Sequence, residues 1–503
     1  MSARVLSREA AARDLRGLLL LALLAVGLGG AVAVLPPIQG AALLLGAVLL
    51  PLVLARPLLG LCLAIATIPL SSEWSVNVGG LNLTLMEPAV GLAAVAWLLR
   101  GARERSLRIW PSGLLVAQLA VLALFLASSL AGEARGPSLK DTIKWIELLL
   151  VFMLTVDEAR EAPAARWVVL ALIGAAAFEA AYGIFQFATG RGPAFFAIGP
   201  FMRAHGHFGQ PNPFAGYLGT ALPLALAVVF LLPRDVLARW ARPAAALLAL
   251  AVALSFSRGA WLGIALATTV MLAVVSQRSR RWLVPLGAAL LLLGVLGTLG
   301  LLPAAVGERL GIIAEYFGPF DVRRVELTPE NWSVVERMAH WQAAWYMFLD
   351  HPWFGIGPGN YATVYDDYFL PGWLEPLGHA HNYYLNLAAE AGIFGMAAYV
   401  AVVVLAFRAA IRAARGRDPY WRALGIGVLG SLVAISLHSA FDNLYVHGVS
   451  VQIGALMGLA QVASDAQGAE SERVASGSAP APPGRPALLF GAGRADDPRA
   501  SGG

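Results

Sequence analysis

Four side chains in this sequence pair strong chemistry with an awkward position. They are Arg203, Arg258, Arg337 and His381, and each lies in or beside a segment flanked by long apolar blocks. Guanidinium groups grip phosphate oxygens with two parallel hydrogen bonds. Two or three of them can hold a diphosphate and stabilise it as it leaves. A neutral imidazole can take the proton of an attacking hydroxyl. His381 precedes an apolar block at 383–407, where the positive end of a helix dipole disfavours the imidazolium form. Together these types suit transfer of a group from a diphosphate to a hydroxyl, with no nucleotide required.

Each residue also has a plainer reading. Arg203 sits in RAHGHFGQPNPFAGYL (203–218) and could be an arginine snorkelling at an interface. Arg258 follows Ser255-Phe256-Ser257, where one apolar run stops and another starts. Ser257 is placed to cap the new helix. Arg258 then sits in the first turn, against the dipole, so something negative should offset it. Glu147 or Glu179 would be a purely structural partner. Arg337 falls on a predicted helix from Val334 to Leu349, opened by a Ser333…Glu336 capping box. Its aromatic face, with Trp341, Trp345 and Phe348, equally suits packing on a membrane surface. Gly355–Asn360 follows as a glycine-rich turn, weak evidence for phosphate binding on its own. His381 could be an interfacial histidine with no role. The pairs His205/His207 and His379/His381 offer four imidazoles, but an H-x-H pair needs an extended backbone to face one zinc ion and no Cys or carboxylate spacing supports it. The expectation is no metal and no cofactor.

The elements that must carry these residues follow from composition. The chain has 503 residues, 58% hydrophobic and only 13% charged, with a net charge of +5. Soluble domains carry about 25% charged residues. The apolar residues come in blocks, such as 16–35 and 282–302, of the ~20 residues that match a bilayer core. A soluble enzyme and a disordered chain are both excluded. The pattern predicts an all-α polytopic membrane protein. Cys62 is the sole cysteine, so there is no intrachain disulfide and no Cys-based metal site. No basic run is long or interleaved with aromatics, which argues against nucleic acid.

Arginines cluster at 4–16, 100–108, 160–166, 234–242, 278–281 and 408–422. Short basic loops stay cytoplasmic, so an even number of spans should separate successive clusters. Spans are expected at 16–35, 37–55, 57–71, 87–99, 113–131, 141–156, 166–188, 214–232, 242–256, 258–276, 282–302, 383–407, 423–441 and 447–463. That makes fourteen, or twelve if the short N-terminal blocks do not all cross. The segment 189–213, the turn at 255–258 and the loop 303–382 then lie outside. That loop holds ten acidic residues against four arginines, and 15 aromatic residues. Such a loop suits either an interfacial belt or a sugar platform. Residues 1–110 read as N-terminal membrane helices, 111–463 as the catalytic membrane region, and 464–503 as a disordered cytoplasmic tail rich in Gly, Pro, Ser and Ala.

The same residues carry a resemblance to the O-antigen ligase family, which includes the related O-antigen polymerases, over roughly 110–460. His381-Asn382, nine residues, then Gly392-Ile393-Phe394-Gly395 resembles the family signature H-[NSQ]-x9-G-x-x-G. Arg258-Gly259-Ala260-Trp261-Leu262 is similar to its R-x3-L element. Arg337 with DHPWFGIGPGN, and Arg203 with GHFGQPNPFAGYL, resemble the loop helix with its turn and the segment supplying another arginine. The resemblance implies a GT-C-like membrane glycosyltransferase with its site at the extracytoplasmic face of a bacterial inner membrane. The implied donor is a glycan on undecaprenyl pyrophosphate, and the acceptor a lipid or glycan. It further implies metal-independent, inverting transfer, with His381 as base, Arg203, Arg258 and Arg337 on the pyrophosphate, and Asn382, Gly392 and Gly395 in support.

Three rivals stay open. A polymerase would use the same donor chemistry. A secondary transporter or lipid flippase would need ionisable residues at mid-bilayer, where Lys144, Glu147, Glu179 and Gln186 are available. A silent binding scaffold would tolerate loss of His381.

Overall fold

The computed structural model describes residues 37–71, 75–78, 81–298, 301–302, 321–328 and 331–476. The expected span at 16–35 lies outside these residues. The other thirteen expected spans each fall on a helix. In chain order these are α1 (Pro37–Ala55), α2 (Pro57–Thr67), α3 (Met86–Arg103), α4 (Gly113–Ala131), α5 (Arg135–Glu158), α6 (Ala162–Thr189), α7 (Pro211–Leu231), α8 (Val236–Leu254), α9 (Arg258–Val275) and α10 (Leu283–Thr298). Then come α11 (Trp332–Asp350), which is the loop helix, α12 (Tyr383–Arg415), α13 (Pro419–His438) and α14 (Val449–Ser476). Among the described residues, strand is confined to two short hairpins, Ser75–Val78 with Leu81–Thr84 and Ala197–Ile198 with Phe201–Met202. The protein is an all-α polytopic membrane protein.

Eight of the described helices are long and apolar enough to cross a bilayer, fewer than the twelve to fourteen expected. Two more, Leu44–Ala55 and Pro57–Leu70, are apolar but short. Helices α3, α5 and α14 do not reach that apolarity over a full span. In α5 the reason is its first half, with Arg135, Lys140, Asp141, Lys144 and Glu147. That half faces neighbouring helices and a cleft rather than lipid, so it need not be apolar.

Local sequence sets the helix ends. Proline in the first turn opens α2, α6, α7 and α13, where its missing N–H costs nothing. Asp235 and Asp418 cap α8 and α13, accepting from Leu237 and Trp421 N–H groups. Helix α14 runs on to Ser476, so residues 464–476 are helical, not part of a disordered tail. Gln467 explains part of this extension: its amide accepts from the Asp418 N–H and donates to the Asp418 carbonyl. The remainder of the expected tail, 477–503, lies outside the described residues.

Helices α7 and α13 form the centre of the bundle, 78% and 83% buried over their apolar windows, while α10 is 0% buried and lies at the rim. Between membrane helices the driving force is close packing rather than water exclusion. Gly263 of α9 shows this, since a Cβ there would lie 2.7 Å from the Ala434 carbonyl oxygen of α13. Successive helices alternate in direction. The starts of α3, α5, α7, α9, α12 and α14 and the ends of α6, α8 and α13 therefore gather at one end, here the site end. The arginine-rich loops lie at the other.

Candidate active site

Three separated segments meet at the site end. The first holds Arg203. It is pinned to α6 by two buried side chains. Gln186 accepts from the Gly206 N–H at 2.7 Å and donates to the Gly206 carbonyl at 3.0 Å. Glu179 accepts from the His207 N–H at 2.6 Å and meets His207 Nδ1 at 2.7 Å. Gly206 has φ +59°, and a Cβ there would fall 1.8 Å from Glu179 Oε1. Only glycine fits. Arg203 is thereby aimed at the α8–α9 corner, where its Nε donates to the Ser255 carbonyl at 2.7 Å.

The second segment is that corner. Phe256 takes φ +51°, which turns the chain so that α9 starts at Arg258. Ser257 occupies the cap position but makes no side-chain cap. Its hydroxyl instead faces His438 Nε2 at 3.4 Å. Arg258 is only 7% exposed, and its Nη2 reaches the Ser333 hydroxyl at 3.5 Å. Neither Glu147 nor Glu179 lines the cavity it enters.

The third segment is α11. It begins at Trp332, two residues earlier than expected, with Asn331 at the cap position and no side-chain cap. The anticipated Ser333–Glu336 capping box does not form. Ser333 lies inside the first turn, its hydroxyl toward Arg258 and its carbonyl accepting from Arg337 Nη1 at 2.7 Å. Trp341 Nε1 donates to the His381 carbonyl at 3.2 Å, which ties α11 to the histidine.

Arg203, Arg258 and Arg337 thus line one cavity of about 650 Å³, together with Asn212, Ser257, Ser333 and His438. Among the described residues no carboxylate lines it. His381 is not on its wall; hydrogen bonds connect it. Arg203 Nη2 donates to Asn212 Oδ1 at 3.3 Å, and Asn212 Nδ2 donates to Asp442 Oδ2 at 2.8 Å. Asp442 Oδ1 lies 3.2 Å from His381 Nδ1. His381 therefore does not sit at a bare helix terminus, as its sequence position implied; a buried carboxylate holds one face of its ring. Nδ1 donating to that carboxylate leaves Nε2 with a free lone pair.

Burial pushes the Asp442 carboxyl up. The hydrogen bond from His381 and the nearby His381, His379 and Arg337 outweigh that and hold it well below the usual carboxylate range. Burial, with His381 and His379 beside it, pushes His340 down to about 3. Burial and His381 likewise push His379 down to about 4, against the attraction of Asp442. Both stay neutral at pH 7.

The remaining motif residues are architectural. Asn382 caps α12, its Oδ1 accepting from the Tyr384 and Leu385 N–H groups at 3.0 and 3.1 Å. His381, one residue earlier, takes φ +50°, a left-handed conformation that costs a non-glycine residue of order 1–3 kcal/mol. Gly392 breaks α12 with φ +63°, and a Cβ there would lie 2.4 Å from the Trp353 backbone. The turn at Gly355–Asn360 docks into that break. Ile356 and Gly357 donate to the Ala389 and Glu390 carbonyls, each at 3.0 Å, and Ile393 donates to Pro352 at 2.8 Å. The glycine-rich turn is therefore a docking element, not a phosphate cradle. Gly395 lies across the same break, where a Cβ would meet that of Ala391 at 2.3 Å.

Residues 243–400 match the model of a protein family described as O-antigen ligase. That segment is an O-antigen ligase family domain. It contains Arg258, α11, the docking turn, His381 and the α12 break, while Arg203, Asn212 and Asp442 lie outside the matched range. No curated protein sequence matches the chain. The O-antigen ligase match supports glycan transfer of the ligase or polymerase type and suggests a glycosyltransferase-like enzyme.

Among the described residues one group of side chains could hold a metal. Ligand-capable atoms of His379, His381 and Asp442 lie within 4.8 Å of one another. However, His379 Nδ1 accepts from the His381 N–H at 3.1 Å, so the neutral ring carries its proton on Nε2, the atom 4.0 Å from Asp442. A protonated ring nitrogen has no lone pair to offer a metal. His205 and His207 do not join this group. His205 Nδ1 lies 2.9 Å from the Arg203 carbonyl, and His207 pairs with Glu179.

Sequence reasoning missed Asp442, Asn212, Ser333 and His438 as members of the site. Asp442 had a readable signal, a lone acid at the end of an apolar span in SAFDNLYVHG. Asn212 had none beyond its place in the Arg203 segment.

Proposed function

We propose that the chain transfers a glycan from undecaprenyl pyrophosphate to an acceptor hydroxyl at the extracytoplasmic membrane face. One observation carries this reading. Three guanidinium groups share one cavity, with no carboxylate among its described lining residues, and a hydrogen-bonded Asn212–Asp442 link joins it to His381. The arginine-rich loops at the opposite end support the assignment of the face.

In this mechanism the three arginines bind the donor's diphosphate. His381 Nε2 takes the proton of the acceptor hydroxyl while Nδ1–H stays hydrogen-bonded to Asp442. The acceptor oxygen attacks the anomeric carbon from the side opposite the diphosphate. The C–O bond to the diphosphate breaks, its electron pair leaves on the phosphate oxygen, and the anomeric configuration inverts. The guanidinium groups stabilise the negative charge as it grows, the task a divalent cation performs elsewhere. Transfer is therefore metal-independent. Ligase and polymerase differ only in the acceptor.

The test is reconstituted transfer. Purified protein receives an undecaprenyl-pyrophosphate glycan and candidate acceptors, with and without EDTA. Transfer should survive EDTA and fall by at least ~100-fold in His381→Ala and Arg258→Ala. Wild-type rates in either variant remove that residue's assigned role, and loss of transfer with EDTA removes the metal-independent mechanism.

A further inference from the structure

A second cleft opens at the site end, between the starts of α3, α5 and α14. It has a volume of about 920 Å³ and is lined by Thr84, Glu87, Lys140, Lys144, Glu147 and Tyr445, among others. A smaller cavity of about 410 Å³ shares Lys144, Tyr445 and Ser450 with it and extends to Tyr383 and Asn443. Tyr383 is two residues beyond His381, and Asn443 directly follows Asp442. The two cavities together run from α5 towards residues that adjoin His381 and Asp442 in the chain.

Its chemistry is the reverse of the arginine cavity. Glu87, Asp141, Glu147 and Glu390 face it with Lys140 and Lys144, and no arginine among the described residues lines either part. Three of the four carboxylates are committed within the protein. Glu87 accepts from Thr84, Asp141 pairs with Lys144, and Glu390 accepts from the Tyr361 N–H. Glu147 differs. It is only 6% exposed, it lines the cleft, and among the described residues no donor reaches its carboxylate. A nearly buried carboxyl that faces a cleft with no protein donor is free to exchange hydrogen bonds with a ligand's hydroxyls. Lys140, Lys144 and Glu147 follow one another at i, i+4 and i+7 along one face of α5. They present two donor groups and then an acceptor to whatever lies in the cleft. Carboxyl groups outnumber the two lysines here, so the cleft offers a phosphorylated ligand less than the arginine cavity does, whereas sugar hydroxyls can donate to Glu147 and accept from the lysines.

We propose that this cleft binds the sugar of the acceptor, a neutral and hydroxyl-rich glycan, with Glu147 accepting hydrogen bonds from its hydroxyls. This rests on the glycan-transfer reading above. The arginine cavity holds the donor's diphosphate, the Glu147 cleft holds the acceptor's sugar, and the side of the cleft nearest Tyr383 and Asn443 turns the acceptor hydroxyl towards the base.

The test is direct binding to the full chain in nanodiscs by isothermal titration, using a panel of neutral methyl glycosides, their 6-phosphates and inorganic pyrophosphate. Wild type should bind at least one neutral glycoside and discriminate against its 6-phosphate. Glu147→Gln should lose roughly tenfold or more of that affinity. Its pyrophosphate affinity should match wild type, which also shows that the variant is folded. In the reconstituted transfer assay, Glu147→Gln should raise the acceptor KM and leave the donor KM in place. The proposal is overturned if no neutral glycoside binds wild type, if Glu147→Gln binds them equally well, or if the 6-phosphates bind better. If glycoside binding follows Glu147 but no transfer is detected, the cleft stands and the glycan-transfer reading falls.

Discussion

Asn212 and His381, 169 positions apart, are held by opposite oxygens of one carboxylate: Asn212 Nδ2 donates to Asp442 Oδ2 at 2.8 Å, and His381 Nδ1 lies 3.2 Å from Asp442 Oδ1. Since Asn212 also accepts from Arg203, the arginine cavity and the imidazole are mechanically linked. A shift of the Arg203 segment is felt at the base.

Asp442→Asn should keep the fold and lower kcat by about 100-fold or more, because an amide can no longer fix the Nδ1–H tautomer of His381. The donor KM should change little. Steady-state kinetics on the reconstituted enzyme decide this; an unchanged kcat would remove Asp442 from the mechanism.

Asn212→Ala should act as a positioning change, lowering kcat by about tenfold and displacing the acidic limb of the pH–rate profile. Asn212→Ser, which keeps a small hydrogen-bonding group, should restore part of the rate. A merely structural role would lower the yield of folded protein and leave the pH profile in place.

Arg258→Lys keeps the charge but not the two-pronged guanidinium, so transfer should fall by about tenfold or more. Arg258→Ala should be worse. Competition by inorganic pyrophosphate should weaken in the same order. Equal inhibition of all three proteins would place the diphosphate elsewhere.

Gly206→Ala should destabilise the Arg203 segment by about 1–3 kcal/mol through its left-handed backbone alone, with the Glu179 clash in addition. Thermal unfolding in detergent should show a lower midpoint. Gly46→Ala, at a glycine with open space around it, is the matched control and should leave the midpoint unchanged or raised.

Folding stability should fall as pH drops from about 6.5 towards 4. His340 and His379 titrate near 3 and 4 in the fold, below their ordinary value of 6.5. Between those limits the unfolded chain binds more protons than the folded one, so stability rises with pH, by up to about 1.4 kcal/mol per pH unit for each histidine. His379→Asn should flatten the dependence. A wild-type unfolding midpoint that stays level across this interval would contradict the burial of both rings.

The sequence by itself determined the class of protein, because a bilayer demands runs of apolar residues whose length can be counted. It also marked the three arginines and the histidine by their placement at span ends. Tertiary structure decided the rest. The span count depends on α3, α5 and α14, whose polar faces are tolerable only because neighbouring helices and a cleft cover them. Ser257 and Ser333 read as helix caps, yet their hydroxyls turn to His438 and Arg258, since a side chain with two possible partners follows the nearer one in space. Gly355–Asn360 read as a loop that might meet phosphate, and it fills the break at Gly392 instead. Asp442 and Asn212 gained meaning only from α7 and α13 lying side by side. Spacing along the chain carries helix periodicity, but it holds no information on which helix ends converge.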